Sequence, residues 1–427
     1  MPARGLADSV TPGPGPAAFA AVERSGVLYG SATWTAPEVA SLMAHLGGRG
    51  AAALDACSDA ELLAAWKDAA AAFRDPRSPE RERLDPALAR LTALSPAGLA
   101  AGLEAVLGGV AGAPAAAAFE RAAGRRQPRP ALVVLAGNLP GLAVQPLLPA
   151  LALRRPLLLE SASAEPLFAP AFVEALGRRL PAIGEGVAAV TWRGGDEALE
   201  APVLAAAGRV LVYGGAEAVA SLRRRAPGRV VDYGPKLSVA VVGDGVDLAA
   251  VARGLARDVA LFDQRGCLSV QAVLVAGVER ARALAEELGR ALAAAAVELP
   301  PGPAEPAAAA RVQALCAEAA MWGLPCFGGA LAAGTVILDP RGEVLPSPGL
   351  RTVRVLPLAA VEDAPGRLAP WRGLLQGAAL AGDGVAGLGP ELERLGVSRR
   401  AAPGELQAAD AAWHNGGRDP LDVLAEG

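Results

Sequence analysis

The sequence predicts an α/β fold: a helical amino-terminal segment, then a parallel-sheet unit, then a second α/β unit closed by a returning carboxyl-terminal segment. Three observations carry that expectation. With 427 residues, 52% of them apolar, the chain can bury a large core and should divide into two or three domains. Short apolar runs alternate with helical stretches from Ala131 to Val242, the order that builds a parallel sheet with right-handed crossovers. Before Arg125-Arg126-Gln127-Pro128 the pattern is helical, and there it changes.

The elements follow in order. From about Ala36 to Gly124 the chain reads as helices, one amphipathic run beginning at Asp59-Ala60-Glu61-Leu62 and another opened by Ser95 as a cap with Pro96 behind it. Ala131–Leu135, Leu157–Leu159, Val187–Thr191 and Val210–Tyr213 read as buried strands separated by helices. A sheet of that kind takes ligands at the carboxyl ends of its strands. After Cys267 come a strand at Ser269–Val275, helices at Glu279–Ala296 and Arg311–Trp322, and strands at Val336–Leu338 and Thr352–Leu356. Glycine and proline between Pro300 and Pro306 mark a loop.

Charge and cysteine content narrow the function. Forty basic against 44 acidic side chains leave a formal charge of −4, and aromatics are 4% of the chain, so neither phosphate neutralisation nor base stacking is expected and nucleic acid is excluded as a partner. The four cysteines, Cys57, Cys267, Cys316 and Cys326, have neither zinc-site spacing nor the density of a disulfide framework; reduced thiols in the cytoplasm and no metal are expected. Met1–Arg24 has no basic start followed by an apolar run, so no export signal is read there. Pro130–Leu153 is apolar enough for a membrane span, but prolines, glycines, Asn138 and Gln145 interrupt it, and a strand, a loop and a buried helix account for it better. Lysine is scarce, with only Lys67 and Lys236, which reads as coding bias.

Chemistry-bearing residues stand on loops after apolar strands. Cys267, in Phe262-Asp263-Gln264-Arg265-Gly266-Cys267-Leu268-Ser269, follows a glycine and precedes a strand, so its sulfur is placed to leave a tight turn as a nucleophile; a buried structural cysteine is the alternative. Cys57, Cys316 and Cys326 read as core. Asn138, in Gly137-Asn138-Leu139-Pro140, suits either an oxyanion donor acting with the Cys267 N–H or an ordinary turn. Asp232, in Asp232-Tyr233-Gly234-Pro235-Lys236, suits either a proton carrier or a salt bridge to Lys236. Gly214 and Gly215, with Glu217 opening a helix, offer backbone N–H groups to a phosphate. His414 reads as an acid or base folding back from the chain end, or as a structural group.

In that order, these signatures resemble the aldehyde dehydrogenase superfamily, and within it the LuxC-type acyl-CoA reductases. Leu91-Thr92-Ala93-Leu94-Ser95, Gly194-Gly195-Asp196, Gly396-Val397-Ser398-Arg399 and Trp413-His414-Asn415-Gly416 extend the resemblance over most of the chain. It implies an aldehyde dehydrogenase-like α/β fold: a helical segment over residues 1–125, a nicotinamide dinucleotide unit over 126–243, a catalytic-cysteine unit over 244–385 and a returning segment over 386–427. It also implies NADPH or NADH as cofactor, with Cys267 as nucleophile and Asn138 as oxyanion amide. Asp232 falls where oxidising members carry a glutamate base, and Gly137, Gly214, Gly215 and Glu217 fall at the dinucleotide. Glu160 stands where those members place a lysine at the adenosine ribose; a carboxylate there accepts ribose hydroxyls and repels a 2′-phosphate. The nicotinamide-ribose carboxylate has no match around Ser347-Pro348-Gly349.

The expected activity is reduction of a long-chain acyl-CoA or acyl-protein thioester to an aldehyde, by a homo-oligomer. Aldehyde oxidation with NAD or NADP, and a non-catalytic oligomeric protein retaining the fold, are the alternatives.

Overall fold

A computed structural model describes residues 6–12, 15–16 and 18–427. Of the stretch Met1–Arg24 read above for export signals, residues 1–5, 13, 14 and 17 lie outside the described residues.

Two strands precede the helical segment, which the sequence reading did not include. β1 (Ala18–Arg24) and β2 (Val27–Thr33) form an antiparallel hairpin through Ser25 and Gly26, both at positive φ. β1 is almost wholly exposed, so it lacks the apolar alternation that marks a strand. The helices then fall where their signals put them. Ser58 Oγ accepts from the Glu61 N–H while the Glu61 carboxylate takes the Ser58 N–H, opening the helix Asp59–Arg74. Ser95 Oγ accepts from the Gly98 N–H at 3.0 Å, opening Pro96–Gly108. Among the described residues one helical stretch, Pro96–Ala122, is long and apolar enough to cross a membrane; its Leu99, Leu103, Leu107 and Phe119 are buried in the core.

β3 (Ala131–Val134), β4 (Leu157–Glu160), β5 (Val187–Val190), β6 (Arg209–Val212) and β7 (Val230–Asp232) form an all-parallel sheet in the order β5-β4-β3-β6-β7. β3, β4, β5 and β6 are buried on both faces, as continuous apolar runs require. Pro130–Leu153 is β3, a loop and the buried helix Val144–Ala152. The order reverses between β3 and β6, so a crevice opens beyond their carboxyl ends.

A seven-stranded sheet follows: β8 (Leu237–Val242), β9 (Val270–Ala276), β10 (Cys326–Ala330), β11 (Gly334–Leu338), β12 (Thr352–Leu358), β13 (Leu375–Ala381) and β14 (Arg399–Ala401), ordered β10-β11-β12-β9-β8-β13-β14. Only β10 runs antiparallel. This corrects the boundary at residue 243: β8 hydrogen-bonds to β9 and β13, so the first unit's sheet ends at Asp232 and the second begins at Leu237. Cys57 packs half-buried against the core, but the cysteine reading needs correction for the other two: Cys316 is only half-buried and Cys326, on the edge strand, is exposed.

The carboxyl terminus crosses back to the first unit. Arg155 Nη1 donates to Leu424 O (2.6 Å) and Glu426 O (2.7 Å), Arg209 Nε to Val423 O, and Gln127 Nε2 to Ala425 O, clamping the helix Pro420–Ala425.

Candidate active site

The reversal between β3 and β6 gathers four segments around one cleft of about 410 Å³. Ala136–Leu139 arrive from β3, Tyr213–Gly215 from β6, Tyr233–Lys236 from the link between the two sheets, and Gln264–Cys267 from the turn before β9. Cys267 is half-buried at its floor, and its carbonyl accepts from Ser238 Oγ at 2.7 Å, which pins the turn to β8. Asn138 Nδ2 donates to Arg265 O at 2.8 Å, joining the first unit's loop to the cysteine loop. That amide has a second N–H for an incoming oxygen.

Burial pushes the Cys267 thiol up to about 11, while the Cys267 and Leu268 backbone N–H groups and the Lys236 ammonium pull the other way. The thiol therefore holds its proton at neutral pH, and attack on a carbonyl requires a place for that proton. Lys236 faces the same cleft; desolvation lowers its pKa, and its Nζ donates to Gly373 O at 2.6 Å. Tyr213 and Tyr233 stack at 4.7 Å between ring centroids and form another wall.

Gly137, Asn138, Gly214, Gly215 and Cys267 are thus brought together, and the remaining candidates do not line the cleft. Asp232 does not line the cleft; its carboxylate forms an ion pair with Arg223 at the edge of the first sheet, and its charge also acts on Lys236. His414 is exposed and lies 3.6 Å from Asp419, outside the cleft. Glu160 is buried at the end of β4, where desolvation and the neighbouring Glu200 raise its pKa to about 8, so it presents no free carboxylate to a ribose. Glu217 is exposed in the first turn of the helix Ala216–Arg225 and does not line the cleft either.

A dinucleotide fits the first-unit side. The helix Ala216–Arg225 starts at Gly215 with no side chain capping its first N–H groups, and a Cβ at Gly215 would meet nothing within 4 Å, so an anion has an open approach. At Gly137 a Cβ would come within 2.7 Å of the Ala164 Cβ, so that tight turn requires glycine.

Sequence reasoning missed Lys236, Gln264 and Gln271 as cleft residues. For Lys236 a signal existed: a chain that uses arginine almost everywhere has lysine here, and only lysine can release a proton.

Comparisons with known proteins place this geometry. No curated protein sequence matches the chain. Aldehyde dehydrogenase 21 from Physcomitrella patens, solved with succinate, superposes with a TM-score of 0.73 at 16% identity, covering 99% of this chain and 95% of that one. An NADP-dependent glyceraldehyde-3-phosphate dehydrogenase from Bacillus halodurans, complexed with NADP, gives 0.72 at 15% identity, covering 94% and 91%. Aldehyde dehydrogenase C from Pseudomonas syringae, a mutant complexed with NAD+ and octanal, gives 0.69 at 13% identity, covering 90% and 86%. The fold is that of the aldehyde dehydrogenases, whose solved complexes hold NAD or NADP. The model of the acyl-CoA reductase (LuxC) family matches residues 92–426, and the chain, an oxidoreductase of aldehydes or acyl groups, belongs to that family.

Proposed function

We propose that this protein reduces an acyl thioester, carried by coenzyme A or by a protein, to the aldehyde through an acyl group held on Cys267. The observation that carries this reading is the lining of the cleft: a thiol, an amide and an ammonium line it together, and among the described residues lining it there is no aspartate or glutamate. Hydrolytic release of an acyl-enzyme requires a base to activate water, and aldehyde oxidation to an acid ends in that step. A cleft without a carboxylate keeps the thioester for reduction instead.

Cys267 Sγ attacks the thioester carbonyl as its proton is lost to water, the thiolate being favoured by the Lys236 ammonium. The Asn138 amide and the Cys267 N–H stabilise the oxyanion, a contribution on the order of 3 kcal/mol when aligned. The departing thiolate takes a proton from the Lys236 ammonium, which regains one from water, leaving the acyl group on sulfur. Gly137, Gly214 and Gly215 are the residues that would hold NADPH or NADH, which when bound supplies the hydride.

The test is turnover of a fatty acyl-CoA panel with reduced cofactor, followed as cofactor oxidation and aldehyde formation. Cys267→Ala should abolish both. Carboxylic acid formed from aldehyde with oxidised cofactor and no coenzyme A would instead favour the dehydrogenase reading.

A further inference from the structure

Three consecutive residues before Cys267, namely Phe262, Asp263 and Gln264, have φ of 55°, 50° and 64°. Residues other than glycine rarely enter this left-handed region, and a run of three persists only where its surroundings over-determine it. Those surroundings are specific. The Phe262 ring lies where a Cβ on Gly102 would be, so the helix Pro96–Gly108 is cut away to receive it. Asp263 is buried and takes two hydrogen bonds from buried Arg351, at 2.9 and 2.6 Å, and a third from the Gly302 N–H at 3.0 Å. Arg351 and its neighbour Leu350 are themselves at φ 58° and 52°. Gln264 makes four bonds: its Nε2 donates to Val270 O and Thr352 O, both at 2.8 Å, and its Oε1 accepts from Thr352 N (2.9 Å) and Ser347 Oγ (3.1 Å). Beyond the run, Arg265 donates to the carbonyls of Thr92 and Ala93.

A buried ion pair adds little net stability over apolar packing of the same volume, so its use here needs another reason. We propose that Asp263, Gln264 and Arg351 are positioning residues for acyl transfer, holding the left-handed run so that the turn after it sets Cys267 into the cleft opposite Asn138. The Asn138 bond to Arg265 O ties the oxyanion donor to the residue that follows the run, so any shift of the run moves nucleophile and donor together. For the reaction this rests on the reductase reading; for the geometry it does not.

The experiment compares the full-length parent with Gln264→Ala and with the charge-neutral double variant Asp263→Asn/Arg351→Gln. It measures thermal melting, iodoacetamide labelling of Cys267 against pH, and single-turnover acyl transfer from an acyl-CoA. Exposed Cys326 is the internal control for labelling. The Lys236 ammonium and the Tyr213 phenol bear on the thiol's titration, and all variants keep both. Expected are cooperative melting and unchanged Cys326 labelling, with the Cys267 midpoint falling from about 11 toward the ordinary thiol range as burial is lost. Acyl transfer should slow by about a hundredfold, the usual cost of a misplaced reacting group. A folded variant with the parent's midpoint and transfer rate would overturn the proposal. If melting is not cooperative, Ser347→Ala, which removes the hydroxyl bonds to Gln264 and Thr352 and the one accepted from the Gly349 N–H, is put through the same two readouts, and they decide. A parent that labels as expected but accepts no acyl-CoA sinks the reductase reading, and the labelling comparison then decides the positioning proposal alone.

Discussion

At the scale of single residues, Cys267 balances burial against a nearby amine. Because burial holds the thiol protonated up to about 11, its labelling and acylation should climb from neutral pH into the alkaline range with no plateau below that value. Lys236→Met removes both the cation that favours the thiolate and the proton donor to the leaving thiol. Acyl transfer should fall by about a hundredfold, within the usual range for a positioned acid or base, with cofactor affinity unchanged. His414→Ala should leave kcat/KM within about threefold, since His414 lies outside the cleft. Cys267 and Asn138 could be read from the sequence because glycine-bearing turns and a rare asparagine leave a mark. The left-handed run could not, since phenylalanine, aspartate and glutamine carry no signature of positive φ and their hydrogen-bond partners lie far along the chain. Glu160 supplies a test of burial itself. Folded, its carboxyl keeps its proton to about pH 8, whereas unfolded it releases it near 4.5, so ionisation increasingly favours the unfolded chain as pH rises between those values. Glu160→Gln should therefore stabilise the protein at neutral pH by on the order of 2 kcal/mol and have little effect near pH 4, measured by denaturant unfolding at both pH values.

At the scale of elements, the strands that surfaced from the sequence are the central ones, buried on both faces and rich in valine and leucine, such as β3, β4 and β6. Those that did not are of two kinds. β13, Leu-Gln-Gly-Ala-Ala-Leu-Ala, is made of residues with weak strand preference and takes its conformation from β8 beside it. β1, β10 and β14 are edge strands whose exposure removes the apolar pattern. The unit boundary was misplaced for a related reason: β8 continues the alternation of the first unit in sequence while hydrogen-bonding in the second sheet. The helix Pro96–Gly108 shows how an element serves the site, because its Gly102 leaves room for the Phe262 ring. Gly102→Ala should drive a methyl into that ring and cost about 1–3 kcal/mol by thermal or denaturant unfolding, an overpacking penalty. It should also slow acyl transfer, because Phe262 begins the run that carries Cys267.

At the scale of the molecule, the chemistry belongs to the seam between two sheets. The first contributes Asn138 and the glycines at its switch point, the second contributes Cys267, and Lys236 stands on the link joining them. Two long-range ties fix the seam. Arg265 grips the end of the helix Pro79–Thr92, which gives the leader a direct hold on the cysteine loop. The carboxyl-terminal helix returns to Arg155, Arg209 and Gln127 of the first unit. Deleting residues 420–427 would leave Arg155 buried without its two carbonyl acceptors, and about 3–5 kcal/mol of stability should be lost, seen as a lower melting temperature or as insoluble protein. The central claim is an acyl group on one sulfur, and mass spectrometry of the intact protein and its peptides after exposure to an acyl-CoA tests it most directly. The account requires a single acyl adduct on Cys267 that is lost, with release of aldehyde, when reduced cofactor is added. No adduct, or an adduct on another residue that reduced cofactor leaves in place, would contradict it.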